Sequence, residues 1–253
     1  MNFFKMTLVI AHRGASGHAP ENTLSSFEKA KIMKADMIEF DVTRTKEGVP
    51  IVFHDRKVNR VTGQAGDIID YTYDKARILD IGTWFGKEFS HERILTLTEA
   101  LEILKDERIN IEIKPESRGI ELDILRQALS VKKIKDILFS SFDDRILINL
   151  RKANKDIALA TLANIFWTGK LEKALSLNAI SLNPNIRIVS EKMVKKAHEH
   201  NLNVMVWTAN QEREMKKLIA IGADGIFTNY PDKLKKILED EHGPSTPPKS
   251  FSA

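Results

Sequence analysis

Short apolar runs alternate with amphipathic stretches along most of the chain. Nine runs rich in aliphatic and β-branched residues predict strands at residues 7–12, 37–43, 51–54, 109–114, 136–142, 158–163, 179–183, 203–208 and 224–228. Seven stretches with apolar residues at i, i+3 and i+4 predict helices at residues 23–33, 97–105, 121–130, 143–153, 169–177, 191–200 and 211–221. This alternation is typical of a parallel sheet with crossover helices.

Nine strands are one too many for a barrel of eight. The connection between the second and third strands, residues 44–50, is too short for a parallel crossover and contains Gly48 and Pro50 in a turn-like run. We therefore expect residues 51–54 to return antiparallel beside the second strand. Eight parallel strands remain, and the sequence predicts an α/β protein: a (β/α)₈ TIM barrel with a small insertion after the second barrel strand.

The segment after the return strand does not read as one crossover helix. Residues 55–94 contain several Gly residues and a set of aromatic residues, so we expect an insertion over one end of the barrel. The barrel domain is expected to span residues 1–241. Residues 242–253 have no periodicity and are predicted to form a disordered tail.

Composition narrows the class of protein. The 253 residues, 42% hydrophobic and 29% charged, suit one globular domain, and a single barrel takes about 250 residues. The absence of cysteine excludes disulfides and thiolate metal sites. No run approaches the roughly 20 apolar residues of a membrane span, and the first residues make a poor signal peptide, so we expect a cytoplasmic protein. The net charge of +4 is spread along helices, which argues against nucleic-acid binding.

The first predicted strand ends in a pair of chemically useful side chains. Active sites of such barrels lie where the strands end, and here His12 and Arg13 precede Gly14. Arg offers a planar fork of donors that suits phosphate, and His can move protons near neutral pH. The alternative is a surface loop with two incidental polar residues.

The second strand carries two carboxylates on one face. Glu39 and Asp41 are two residues apart, and apolar residues at 38, 40 and 42 occupy the other face. Two carboxylates cannot both stay ionised in a dry interior without a compensating cation. Oxygen ligands alone favour Mg²⁺ or Ca²⁺. An outward, solvated pair is the alternative.

Three later positions extend this polar set. The return strand ends at His54, and the strand at residues 109–114 carries Glu112 and Lys114 with the same two-residue spacing. Trp207, near the end of the strand at residues 203–208, can either wall a pocket or pack the rim. Neighbouring strands would thus bring three carboxylates and a cation to a similar height.

The motifs, in this order, resemble the glycerophosphodiester phosphodiesterase family over residues 8–234. They are His-Arg-Gly at 12–14, Pro-Glu-Asn-Thr at 20–23, Glu-x-Asp at 39–41, His-Asp at 54–55, Glu-x-Lys-Pro at 112–115, a late strand Trp at 207, and Asp-Gly-Ile-x-Thr-Asn-x-Pro at 224–231. That family is a (β/α)₈ barrel with a small insertion. It hydrolyses glycerophosphodiesters to glycerol 3-phosphate and an alcohol.

The resemblance implies a role for each matching position. It implies that one divalent cation, Mg²⁺ or Ca²⁺, is bound by Glu39, Asp41 and Glu112, that His12 and His54 form the acid–base pair, that Arg13 and Lys114 hold the phosphate, and that Trp207 lines the glycerol pocket. Asn229 departs from the family, in which many members have Asp, and we expect this to affect the loop more than the chemistry.

Several alternatives remain open at this point. A lysophospholipase D-type or cyclising phosphodiesterase on lysophospholipids would use a similar charged set, and an apolar funnel would favour it. Residues available for such a funnel are Trp84, Phe85, Phe89, Phe166 and Trp167. A non-catalytic binding module on the same fold would be expected to have lost part of the set. The nucleophile, water or the substrate's glycerol 2-hydroxyl, and the division of roles between the histidines are undecided.

Overall fold

A closed barrel of eight parallel strands forms the centre of the molecule. The computed structural model describes residues 6–242. Its strands are β1 Leu8–Ala11, β2 Met37–Arg44, β3 Pro50–Val52, β4 Ile109–Ile113, β5 Ile137–Ser141, β6 Ala158–Ala163, β7 Ser181–Pro184, β8 Asn203–Val206 and β9 Gly225–Thr228. All except β3 pair in parallel, and β1 closes the barrel by pairing with both β2 and β9. The predicted (β/α)₈ barrel is confirmed.

The extra strand is the predicted antiparallel return. In β3, Pro50 pairs with Arg44 and Val52 pairs with Val42 of β2. The turn between them contains Gly48 at a φ of 84°, a left-handed conformation that favours glycine. The short connection therefore produces a hairpin and not a ninth barrel strand, as expected from its length.

Helices connect the strands around the outside of the barrel. They are α1 Leu24–Ile32, α2 Asn59–Thr62, α3 Tyr73–Arg77, α4 Leu97–Ile103, α5 Glu121–Val131, α6 Asp144–Ala153, α7 Thr168–Ser176, α8 Glu191–His198, α9 Glu212–Ala220 and α10 Pro231–His242. All seven predicted helices are present. Within residues 6–242, no helix is long and apolar enough to cross a membrane. The predicted tail, residues 242–253, lies outside the described residues except for His242 at the end of α10.

Alternation along the strands separates two apolar layers. Ile38, Phe40 and Val42 of β2 face the helices and belong to the large core between sheet and helices. Met37 faces inward and joins a small cluster that fills the base of the barrel. The other buried members of that cluster are Leu8, Ile10, Leu138, Ala158, Ala160, Met205 and Phe227. The base is therefore closed by apolar side chains, and the polar interior positions lie toward the mouth.

The chain between β3 and α4, residues 53–96, has an apolar cluster of its own. Its buried members, together with Ile51 of β3, are Phe53, Val58, Val61, Ile68, Ala76, Leu79, Ile81 and Ile94. A small cleft lies along the seam between this segment and the barrel, and Glu21, Asn22 and His54 contribute to its lining. The segment containing α2 and α3 is thus anchored beside the mouth.

Candidate active site

Three carboxylates from two neighbouring strands meet at the mouth of the barrel. Asp41 of β2 pairs in register with Glu112 of β4, and Glu39 lies two residues before Asp41 on the same inward face. One oxygen from each of the three groups lies within 4.8 Å of the others. Glu39 and Asp41 are almost completely buried, at 2% and 1% exposure.

Their burial makes the charges of the three groups interdependent. Burial, followed by the charges of Asp41 and Glu112, raises the pKa of Glu39 well above its usual range. Burial also opposes the ionisation of Asp41, but nearby Lys114 and Arg13 outweigh it and lower the pKa of that carboxyl. A bound cation would let all three ionise together, and an oxygen-only donor set suits Mg²⁺ or Ca²⁺. The residues therefore fit a divalent cation.

Lys114 and Asn22 hold the carboxylates from two sides. The Lys114 Nζ donates to Glu112 Oε1 at 2.8 Å and lies 3.4 Å from Asp41 Oδ1. The Asn22 amide Nδ2 donates to Asp41 Oδ2 at 2.9 Å, while the Asp41 backbone N donates to Asn22 Oδ1 at 3.2 Å. The next residue, Thr23, caps the N-terminus of α1. Asp41 is thereby fixed by bonds to both its backbone and its side chain.

Arg13 leaves β1 in a left-handed conformation and turns toward the carboxylates. Its φ is 55°, and its backbone N donates to Glu39 Oε2 at 2.7 Å. The guanidinium Nη1 donates to Glu21 Oε1 at 2.8 Å, and Nε lies 3.3 Å from Asp41 Oδ2. Gly14, at a φ of 77°, has no room for a Cβ, which would lie 2.5 Å from Ser26 Oγ. The turn after β1 is therefore closely packed against α1.

His12 is the first residue after β1, and its ring contacts the loop after β9. Nδ1 lies 2.8 Å from Asn229 Oδ1, and because an amide oxygen only accepts, Nδ1 carries the proton. Burial, followed by the charge of Arg13, lowers the pKa of His12 to about 3. Asn229, which departs from the family motif, therefore contacts the His12 ring as well as belonging to the loop after β9.

His54 follows β3 and is paired with the next residue. Its Nδ1 lies 2.6 Å from Asp55 Oδ1, so the proton on Nδ1 points at a carboxylate. The charge of His54 helps to lower the pKa of Asp41. The charge of Asp41 in turn acts to raise the pKa of His12, although burial lowers that pKa overall. The structure therefore brings both predicted histidines to the carboxylate cluster.

Trp207 lies on the opposite wall of the mouth, just after β8. Its indole Nε1 donates to the Asn183 backbone O at 2.8 Å, and its ring meets Phe142 edge-on with centroids 5.6 Å apart. The indole is half-buried. Among the contacts described, Trp207 has no hydrogen bond to the three carboxylates, Arg13 or Lys114.

Sequence reasoning missed several side chains of this site. Glu21, Asn22 and Asp55 lie within the quoted motifs but were given no role, although their position beside His, Arg and Asp motifs was a signal. Arg60, which donates to both Glu21 and Asp55, lies in a four-residue helix with no local pattern that marks it. The contact of Asn229 with His12 spans 217 residues and has no local signal either.

Comparison with known proteins agrees with this geometry. A sequence model of the Glycerophosphoryl diester phosphodiesterase family matches residues 12–233. A glycerophosphodiester phosphodiesterase of Caldanaerobacter subterraneus subsp. tengcongensis is 36% identical, over 92% of this chain and 98% of the relative. One from Bacillus altitudinis is 35% identical, over 93% and 99%.

A solved structure shares the fold and the family. The phosphodiesterase of Oleispira antarctica, in complex with the product sn-glycerol-3-phosphate, is 30% identical and superposes with a TM-score of 0.84 over 91% of this chain and 96% of that one. The chain therefore belongs to the glycerophosphoryl diester phosphodiesterase family and is a phosphoric diester hydrolase.

Proposed function

We propose that the protein hydrolyses glycerophosphodiesters to sn-glycerol 3-phosphate and an alcohol, using one divalent cation and the histidines His12 and His54. The observation that carries this proposal is the convergence of three carboxylate oxygens within 4.8 Å, next to Arg13 and Lys114. A negatively charged phosphodiester needs both a cation and donors at one place. The solved relative from Oleispira antarctica holds the product that this reaction would release.

Glu39, Asp41 and Glu112 would hold the cation. When bound, a divalent cation supplies positive charge against the phosphoryl oxygens and lowers the cost of charge that develops on them. The raised pKa of Glu39, caused by burial and by its two acidic neighbours, supports this assignment, because these three groups together need a positive partner.

Arg13 and Lys114 bind the phosphate in this proposal. Both lie at the mouth, mostly buried, and each is already within 3.4 Å of an Asp41 oxygen. The Arg13 fork can present two parallel N–H donors to phosphate oxygens, whereas Lys114 acts as a point charge. Trp207, on the opposite wall, would supply an apolar face for the glycerol carbons.

His12 and His54 exchange protons with the substrate. Each ring has its Nδ1 proton fixed by an oxygen acceptor, so Nε2 is the atom left for proton transfer. One ring removes the proton of the nucleophile, either water or the glycerol 2-hydroxyl. The other, entering the reaction with both ring nitrogens protonated, donates its Nε2 proton to the leaving alkoxide oxygen as the bond from that oxygen to phosphorus breaks and the bond from the nucleophile forms.

Product release tests this proposal directly. We expect sn-glycerol 3-phosphate from glycerophosphocholine and glycerophosphoethanolamine when Mg²⁺ or Ca²⁺ is present, and none after EDTA. Adding the cation back should restore the rate, which controls for damage by the chelator. Full activity in excess EDTA would remove the cation from the proposal, and no release with either cation would remove these substrates.

Lysophospholipids are a second candidate class of substrate, favoured by one observation. The loop after β6 exposes two large apolar side chains, Ile165 at 68% and Phe166 at 81%, at the end of the barrel where the site lies. Trp84 is also partly exposed, in the segment between β3 and α4. An acyl chain would cover such side chains.

The Phe166→Ser variant separates the two substrate classes. If acyl chains use this loop, kcat/KM for a long-chain lysophosphatidylcholine should fall several-fold, while the value for glycerophosphocholine stays unchanged. Leu175→Ser, at an exposed apolar position on helix α7, is the matched control. Equal kcat/KM values for Phe166→Ser and the wild type on the lysophospholipid would exclude this loop from substrate binding.

A further inference from the structure

Arg60 makes contact with two carboxylates of the site at once. It lies in α2, and its Nε donates to Asp55 Oδ2. Its Nη1 and Nη2 donate to Glu21 Oε2 at 3.0 Å and Oε1 at 2.6 Å, a bidentate geometry. The guanidinium also lies over the Trp84 ring, 5.5 Å from the centroid. Arg60 is thus held on three sides.

Each of these carboxylates touches one member of the proposed catalytic machinery. Asp55 Oδ1 is 2.6 Å from His54 Nδ1, and Glu21 Oε1 is 2.8 Å from Arg13 Nη1. A single guanidinium therefore bridges the group that orients a proton-transferring ring and the group that orients a phosphate-binding fork. The two carboxylates that Arg60 bridges come from different parts of the chain: Asp55 follows the return strand β3, and Glu21 lies between β1 and α1.

The charges of the bridge are mutually supporting. Burial opposes ionisation of Asp55, but hydrogen bonds from His54 and Arg60 outweigh it and lower the pKa of that carboxyl. Burial likewise opposes ionisation of Glu21, and contacts with Arg60 and Arg13 lower its pKa. An ionised Asp55 is a pure acceptor, which keeps a proton of the His54 ring on Nδ1.

A simple surface ion pair would not have this arrangement. Exposed pairs contribute about 0–1 kcal/mol and hold two flexible side chains. Glu21 and Asp55 are mostly buried, at 15% and 21% side-chain exposure, and Arg60 binds both. Bidentate, charge-assisted bonds fix orientation as well as distance.

We propose that Arg60 is a positioning residue, which holds His54 through Asp55 and Arg13 through Glu21. The segment between β3 and α4 would thereby set the geometry of the catalytic groups at the barrel mouth, without itself touching the reacting atoms. This inference rests on the proposed function of His54 and Arg13.

Three variants test it by kinetics. Arg60→Ala should lower kcat by about 10–100-fold, the usual effect of losing a partner that orients a histidine at a metal site. Arg60→Lys should not restore the rate, because one ammonium cannot reproduce the planar fork. Arg56→Ala is the matched control, since Arg56 lies in the same segment, is 62% exposed and pairs with Asp67.

Two further readouts distinguish positioning from a loss of stability. Millimolar guanidinium should partly restore Arg60→Ala, and the cation concentration for half-maximal activity should stay unchanged, because Arg60 contacts no proposed cation ligand. In a double-mutant cycle, Asp55→Asn combined with Arg60→Ala should be far less damaging than the product of the two single losses. Independent, multiplicative losses would contradict action through Asp55.

A spectroscopic readout does not depend on activity at all. In ¹H–¹⁵N spectra of the histidine rings, wild-type His54 should be protonated on Nδ1, and Arg60→Ala should shift it toward the Nε2–H tautomer. His198, at the far end of the barrel, should keep its signals and serves as the internal control. Failure of the wild type to hydrolyse any glycerophosphodiester would refute the proposed function, whereas unchanged His54 signals or an unchanged kcat in Arg60→Ala would refute the role of Arg60.

Discussion

The two ends of the barrel each contain a histidine paired with an aspartate, in very different surroundings. At the mouth, His54 Nδ1 lies 2.6 Å from Asp55 Oδ1. At the base, His198 Nε2 lies 2.7 Å from Asp224 Oδ2, and that same oxygen accepts from the Val204 backbone N. The base pair ties the end of α8 to the start of β8.

The difference between them lies in their neighbours. Beside the His54–Asp55 pair is Arg60, which donates to Asp55, and the charge of His54 helps to lower the pKa of the nearby Asp41. The interior of the base is instead filled by apolar side chains such as Ile10 and Met37. An imidazole–carboxylate pair is therefore no sign of catalysis by itself, and it is the charged groups beside the His54–Asp55 pair that support the proposed catalytic role.

The largest expected effect separates the two histidines. If His54 is one of the two proton-transfer groups, as proposed, His54→Ala should lower kcat by about 10²–10⁴-fold. His198→Ala should leave kcat within about twofold and should instead lower the melting temperature. Glycerol 3-phosphate release and thermal unfolding measure the two effects. Near-normal turnover by a folded His54→Ala variant would exclude His54 as a proton-transfer group. The same test applies to His12→Ala.

The acidic residues of the two ends should differ in a second, smaller way. Asp41→Ala or Glu39→Ala should raise the cation concentration for half-maximal activity by at least ~10–100-fold. Removing a residue that only hydrogen-bonds to a metal ligand already lowers metal affinity by about that factor. Asp224→Asn at the base should lower stability and leave the cation requirement unchanged. Titration of activity with Mg²⁺ and Ca²⁺ measures both. A Glu39→Ala enzyme with the wild-type cation requirement would exclude Glu39 as a ligand.

The smallest effect concerns the partner of His12. Asn229→Asp places a carboxylate beside the ring, which should raise the pKa of His12 from about 3 toward its ordinary value of 6.5. The acidic limb of the kcat/KM profile should then move to higher pH, and kcat/KM at pH 6 should fall by less than tenfold. An unshifted limb would show that His12 does not govern it.

The lowered pKa of His12 also makes the stability of the folded protein depend on pH, and Asn229→Asp should weaken that dependence. Because the folded pKa of His12 lies below 6.5, unfolding takes up a proton in acid, and stability falls as the pH drops from about 6.5 toward 3. Because Asn229→Asp raises the folded pKa of His12 toward 6.5, stability should fall over a narrower pH range. Urea unfolding of cation-free protein at pH 7 and pH 5 would measure the change.

The sequence predicted what depends on local alternation. Glu39 and Asp41 alternate with apolar residues on β2, so their inward direction followed from the period of a strand, and the structure confirms that direction. The length of the connection before β3 predicted the antiparallel return. The whole barrel followed from repeated strand and helix periods, because each period reports which face is buried.

Contacts between distant segments were beyond such reasoning. The bond between Arg60 and Glu21 joins residues 39 apart, and the His12 contact with Asn229 depends on closure of the barrel by β1 and β9. Neither contact changes the periodic pattern of apolar residues in the sequence, because each is made by single polar side chains in loops or a short helix. Such contacts become visible only when the topology places both partners.

The register of Asp41 with Glu112 has a consequence for how such enzymes diversify. The proposed cation ligands come from two adjacent strands, whereas Trp207 and the exposed Phe166 lie just after β8 and β6, on other parts of the rim. Mutations in the distant loops can therefore accumulate without disturbing the ligand set. If these loops contact the substrate as proposed, selection can alter substrate preference while the cation ligands stay unchanged.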